Sequence, residues 1–164
     1  MNDYAIITSY DYQPKRGVIM CEEINAMSKE RNNISRYKKR EQAFLLCFES
    51  LFSDAEIDEL ADNAGDARDE FLSDYAIDCV KGIREHQEEI DEKISSNLKS
   101  GWKINRISKV SLAIMRVAVF EMLYLEDIPV SVSINEAVEL SKKYTVEDDT
   151  AFINGVLGAI AKTL

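Results

Sequence analysis

Glycine and proline are scarce in this chain, six and two among 164 residues. A β-sandwich or barrel needs turn residues at the end of every short strand, so the shortage points to helices. Histidine occurs once, at His86, and the three cysteines, Cys21, Cys47 and Cys79, form no Cys-x-x-Cys pair. A zinc site therefore lacks a ligand set and a disulfide framework lacks a basis, and buried free thiols are expected. Neither a Gly-x-x-x-x-Gly-Lys-Ser/Thr run nor a Gly-x-Gly-x-x-Gly run is present to cradle phosphates. His86 sits in the charged run "GIREHQEEIDEK", which leaves a serine or cysteine nucleophile without a positioned base. It reads as a solvated helix residue, and the acids of residues 54–92 read as solubilising charge. No catalytic residue, metal ligand or cofactor is assigned, and the chain reads as a non-enzyme.

Long apolar runs are missing as well. The most hydrophobic stretch, "VSLAIMRVAVFEMLYL", contains Arg116 and Glu121 and falls short of the roughly 20 apolar residues that span a bilayer. The N-terminus has an early Asp3 and no sustained apolar core, unlike a signal peptide. A cytoplasmic protein without a membrane partner is expected.

Charge, by contrast, is abundant and uneven. The formal net charge is −10, and residues 41–100 hold 17 acids against 5 lysines and arginines. Residues 36–40 reverse the sign, with Arg36, Lys38, Lys39 and Arg40 and no acid. On a helix Arg36 and Arg40 share a face, and the helix start adds a positive dipole end and free amides, a combination suited to phosphate. Composition leaves a second reading equally open, a solvated helix start paired with nearby acids. Arg116, set among apolar residues, needs a partner, and Glu121 or Glu136 is the expected one.

Apolar residues recur at helical spacing from Arg36 to the C-terminus. The first helix spans Arg36 to Phe52. Ser53 and Glu56 form an apparent capping box opening a second, which Gly65 ends. A third carries Tyr75, Ile77, Cys79, Val80 and Ile83, and a fourth starts near Arg84. The segment from Ile104 to about Glu126 is apolar on two faces, so it is expected to lie between other helices. Ser133 and Glu136 repeat the capping box before a sixth helix. Asp148, Asp149 or Thr150 caps a seventh, in which Gly155 and Gly158 are expected to allow close packing. The fold class is all-α, with about seven helices in one domain spanning residues 35–164. Residues 1–34 show no sustained period and read as a disordered or leader-like extension, with Met27 an alternative start.

Four runs, "RYKKREQAFLLCFESLF", "GWKINRISKVSLAIMRVAVFEM", "DIPVSVSINEAVELSKKY" and "AFINGVLGAIA", resemble in order the NusB family of bacterial transcription antitermination factors. The resemblance covers about residues 35–164. It implies two small helical bundles packed together and no catalysis. It also implies binding of boxA, a short single-stranded RNA element, together with NusE, a small-subunit ribosomal protein. That complex acts on RNA polymerase, notably at ribosomal RNA operons. Carried over by position, Arg36, Lys38, Lys39 and Arg40 would meet RNA phosphates. Phe152 and Asn154 would lie near the RNA, Phe152 as a stacking ring, and Asp148 would tune affinity by repulsion. Trp102, Arg106 and Ser111 would face NusE. The chain departs from the family where Ser111 replaces a common acid, Phe48 a tyrosine and Asn105 a frequent aspartate. Two other readings follow from these features: a helical protein-interaction scaffold without RNA binding, and a NusB-like module of a ribosomal RNA methyltransferase system. The resemblance leaves homodimerisation open.

Overall fold

The computed structural model describes residues 33–164, so Cys21 and all of the N-terminal extension but Asn33 and Ile34 lie outside the described residues. Among the described residues there are seven α-helices and no strand. They are α1 (Arg36–Ser50), α2 (Ile57–Arg68), α3 (Asp74–Glu85), α4 (Gln87–Ser96), α5 (Lys109–Tyr124), α6 (Val130–Tyr144) and α7 (Glu147–Ala161), with a 3-10 turn at Ile104–Arg106. Helices α1 to α3 pack on one another, as do α4 to α7, and α5 joins the groups by packing on α1, α3, α4, α6 and α7. No helix among the described residues is long and apolar enough to cross a membrane.

Local chemistry sets the helix starts, though not always where the spacing predicts. Ser35, Ser73 and Ser108 cap α1, α3 and α5, each side chain accepting from an amide three residues on. Neither expected capping box forms. The Ser53 hydroxyl accepts from the amide of Ala55, two residues on, and α2 starts only at Ile57. Ser133 lies inside α6, because Pro129 already supplies a helix-compatible φ of −59° at its start. The seventh helix also begins earlier than expected, with Val146 as its cap and no side-chain bond. Glu147, Asp148 and Asp149 instead occupy the first turn of α7, where their charge opposes the positive end of the dipole. Gly65 does not end α2, which runs on to Arg68 and closes at left-handed Asp69. Nor is His86 a freely solvated residue. It stands between α3 and α4, half-buried, with its ring stacked on Tyr124 at 4.3 Å.

Every residue of α5 from Ser111 to Glu121 is buried, as its two-faced apolar pattern demands. Cys47 and Cys79 are buried free thiols beside it, and burial pushes the Cys47 thiol up to about 12. The close helix approach, however, belongs to a different glycine. A Cβ on Gly82 of α3 would collide with the Phe120 ring of α5, whereas Gly155 and Gly158 face open space and make no close helix contact.

Two charges are buried in α5, and each has a partner. Arg116 pairs with Asp91 of α4 through two bonds, Nε to Oδ1 at 2.8 Å and Nη2 to Oδ2 at 2.7 Å. This corrects the expected partners Glu121 and Glu136. At about 100° per residue, Glu121 points well away from Arg116 on the same helix. Glu121, 1% exposed, accepts from Arg40 Nε at 2.7 Å, from Ser133 Oγ at 2.6 Å and from the Tyr75 hydroxyl. One carboxylate thus fastens α1, α3, α5 and α6. Gln42, also buried, adds a clasp to the loop before α3, donating to the Phe71 carbonyl and accepting from the Ser73 amide.

Because one-sided removal leaves a buried charge unpaired, Glu121→Leu or Arg40→Met alone is expected to destabilise the fold by about 3–5 kcal/mol. The double variant should lose less than the sum of the two, as urea unfolding of all three proteins would measure. Gly82→Ala should cost about 1–3 kcal/mol through overpacking against Phe120. Gly158→Ala should gain up to about 1 kcal/mol from helix propensity, and the same unfolding curves report both.

Candidate nucleic-acid interface

The N-terminal turn of α1 borders a cleft of about 180 Å³ lined by Arg36, Lys39, Arg40, Tyr75, Asp127 and Ile128. Arg36 is exposed and Lys39 half-buried, and neither makes an ion pair among the described residues. The Ser35 hydroxyl takes the Lys38 amide, so one of the free amides at this helix start is already occupied.

The other two members of the basic cluster have partners within the fold. Arg40 is 5% exposed, and besides Glu121 it lies 3.5 Å from Glu136 Oε2. Burial works against its charge more than any other single influence, but the bond to Glu121 and the attraction of Glu121, Tyr75 and Glu136 together raise the guanidinium pKa. Arg40 is four residues from Arg36, yet that one turn carries it from the surface into the core. Its side chain lies in the scaffold beneath the cluster, paired with Glu121 and Glu136. Lys38 is divided between Glu41 at 3.3 Å and Glu70 at 3.2 Å. The second reading of the cluster, pairing with nearby acids, therefore describes two of its four members.

Glu41 also brings in residues that sequence spacing did not single out. It accepts from Lys143 Nζ at 2.5 Å and from the Tyr144 hydroxyl at 2.9 Å, both on the last turn of α6. Burial alone would raise the Glu41 pKa, but bonds from Lys143, Tyr144 and Lys38 lower it below its ordinary value. Lys143 is exposed and ties α6 to α1 through Glu41, while Lys142 pairs with Glu139 on its own helix. The only trace of this in the sequence is the pair of lysines ending the sixth amphipathic run.

The remaining site residues gather at the other end of α5. Ser111, in its first turn, donates to Asp149 Oδ2 of α7 at 3.3 Å, whereas Glu121, which holds Arg40, is in its last turns. Ten residues at 1.5 Å each separate the two ends by about 15 Å. Ser111 is 1% exposed, and its hydroxyl joins α5 to α7. Trp102 is 53% exposed and its ring stacks on Phe152 at 5.4 Å with an interplanar angle of 29°. Two residues assigned to different partners thus form one surface. Asp148, Asn154 and Arg106 are exposed on the neighbouring α7 and 3-10 turn. No cluster of histidine, cysteine or carboxylate among the described residues could hold a metal.

An all-helical body with an acidic middle, a buried carboxylate hub and exposed cations at a helix start defines a class of small helical proteins with one locally basic edge and, among the described residues, no helix long and apolar enough to cross a membrane. Comparison with known proteins narrows the class. The NusB family model matches residues 37–162, and the chain belongs to the NusB family. It is 45% identical over 141 residues to the transcription antitermination protein NusB of Clostridium botulinum (strain Kyoto / Type A2), covering 76% of this chain and 98% of that protein. Among solved structures, NusB of T. maritima is 33% identical, with a TM-score of 0.65 over 79% of this chain and 92% of that one. A structure of antitermination factors NusB and NusE in complex with dsRNA is 30% identical, with a TM-score of 0.69 over 80% of this chain and 100% of that one.

The lowered pKa of Glu41 has a consequence for stability. A carboxylate with a depressed folded pKa stabilises the fold above its unfolded value and loses that contribution as pH falls through the folded one. Glu41→Gln should therefore lower the melting temperature at pH 7. The gap from the parent protein should close as pH drops below the ordinary 4.5, a trend that thermal melts across pH 3–7 would follow.

Proposed function

We propose that this protein is a transcription antitermination factor that binds single-stranded boxA-type RNA together with NusE. In that role it joins the antitermination complex on RNA polymerase, notably at ribosomal RNA operons, and catalyses no reaction. The observation that carries this reading is the family match, which runs through nearly all of the described residues and includes relatives named for antitermination. The electrostatics support it: Arg36 and Lys39 are uncompensated cations on a strongly acidic chain, which favours local phosphate contact over indiscriminate binding. Phosphate contacts position RNA without reading it, so sequence preference must come from bases or from the partner. One observation favours the scaffold reading: Lys38 and Arg40 are already neutralised within the fold.

Fluorescence anisotropy of labelled boxA-type RNA, with and without NusE and at several salt concentrations, separates the two readings. On the antitermination reading NusE tightens binding. The double variant Arg36→Ala/Lys39→Ala then weakens it and flattens the slope of log affinity against log salt by about 1.4, at about 0.7 per lost phosphate contact. Equal, weak binding by the parent and the variant at every salt concentration, with or without NusE, would leave the scaffold reading standing.

A further inference from the structure

We propose that Trp102, backed by Phe152, is a base-stacking ledge for single-stranded RNA. The proposal assigns the indole to the nucleic acid and not to the protein partner, and it rests on the RNA-binding reading above.

The ledge is built by the loop between α4 and α5. Gly101, immediately before the tryptophan, has a φ of +86°, a conformation glycine adopts without strain. The Trp102 amide donates to the Lys99 carbonyl at 3.0 Å, closing a turn that presents the side chain outward. Phe152 on α7 then lies against the indole at 5.4 Å, and the tryptophan still keeps 53% of its surface exposed. The result is an aromatic platform with one side supported and the other open, and a nucleobase can extend such a stack whatever its identity.

The charge around the ledge identifies the occupant. The stretch "NLKSGWKINRISKV", residues 97–110, carries Lys99, Lys103, Arg106 and Lys109 and no carboxylate, in a chain of net charge −10. All four cations are exposed, and none makes an ion pair among the described residues. Exposed cations along the loop that presents an exposed tryptophan are the composition of a single-strand groove, in which bases stack and the backbone follows the positive charge. Across the ledge, Asp148 lies one turn before Phe152 on α7 and repels phosphate, which confines the RNA backbone to the loop side. Ser111, in the first turn of α5 after this loop, stands about 15 Å along the helix axis from Glu121, which holds Arg40 beneath the basic start of α1.

The chain's single tryptophan makes the test direct. Trp102 emission would be followed while unlabelled boxA-type RNA is added to the full chain, with anisotropy of the same RNA measured in parallel. The expected result is quenching that saturates with the dissociation constant found by anisotropy. Trp102→Ala should weaken RNA binding by about tenfold with the salt slope unchanged, while Trp102→Phe should stay within a few-fold of the parent. Lys103→Ala/Arg106→Ala should instead lower the salt slope. Circular dichroism of each variant checks that the fold is intact. RNA binding without a change in Trp102 emission, and unaffected by Trp102→Ala, overturns the ledge and leaves the antitermination reading in place. If Trp102→Ala spares RNA binding but weakens NusE binding, the ledge is likewise overturned and the indole belongs to the protein partner. Absence of any RNA binding by the parent protein, with or without NusE, removes both this inference and the reading on which it rests.

Discussion

The burial of one carboxylate organises the molecule. Glu121 lies in the central helix with almost no contact with water, and ionised carboxylates are costly to bury unless fully paired. Arg40, Tyr75 and Ser133 meet that requirement from three other helices, so α1, α3 and α6 are placed by the needs of a single group on α5. Apolar packing supplies most of the driving force for such a fold, but it is non-directional. The hydrogen bonds to Glu121 are directional, and they select one arrangement of the four helices around an otherwise generic apolar core.

The same hub shapes the surface above it. Supplying Arg40 to Glu121 withdraws one cation from the basic start of α1, and Lys38 is drawn towards Glu41 and Glu70. Arg36 and Lys39 make no ion pair among the described residues and line the cleft. Glu41 in turn binds Lys143 and Tyr144 of α6, so a carboxylate adjacent in sequence to the basic cluster fastens a second helix to α1. At the far end of α5, Ser111 and Asp149 tie α7 to α5, while Trp102 rests on Phe152. A rigid helix buried along most of its length sets the distance between these two ends.

The acidic middle of the chain has its own part in function. Its charge keeps most of the surface repulsive to a polyanion, so modest cationic regions suffice to choose where contact occurs. A uniformly basic protein of the same fold would bind nucleic acid more tightly and less selectively, because phosphate contacts alone carry no sequence information.

The sequence by itself determined the helices and their order. Scarce glycine and proline, together with apolar residues at helical spacing, leave little else for residues 36–161 to form, and the unbroken apolar face of residues 110–122 required a central position for α5. The resemblance in four consecutive runs, later matched by the family comparison, supplied the family. Capping boxes misled at Ser53 and Ser133, because a hydroxyl near a helix start can serve a turn or a buried carboxylate equally well. Pairing was the larger gap. Arg40 looks like its neighbours in the string, and Arg116 sits five residues from a carboxylate it never meets; which cation is buried and with whom depends on side chains 25 to 81 positions away. Ser111 and Trp102 were grouped as one surface by position, yet over the nine positions from one to the other the fold buries the first and exposes the second. Only the tertiary structure decided these matters, since burial and charge pairing are properties of contacts between helices, and local sequence periodicity encodes the face of a helix without naming what lies against it.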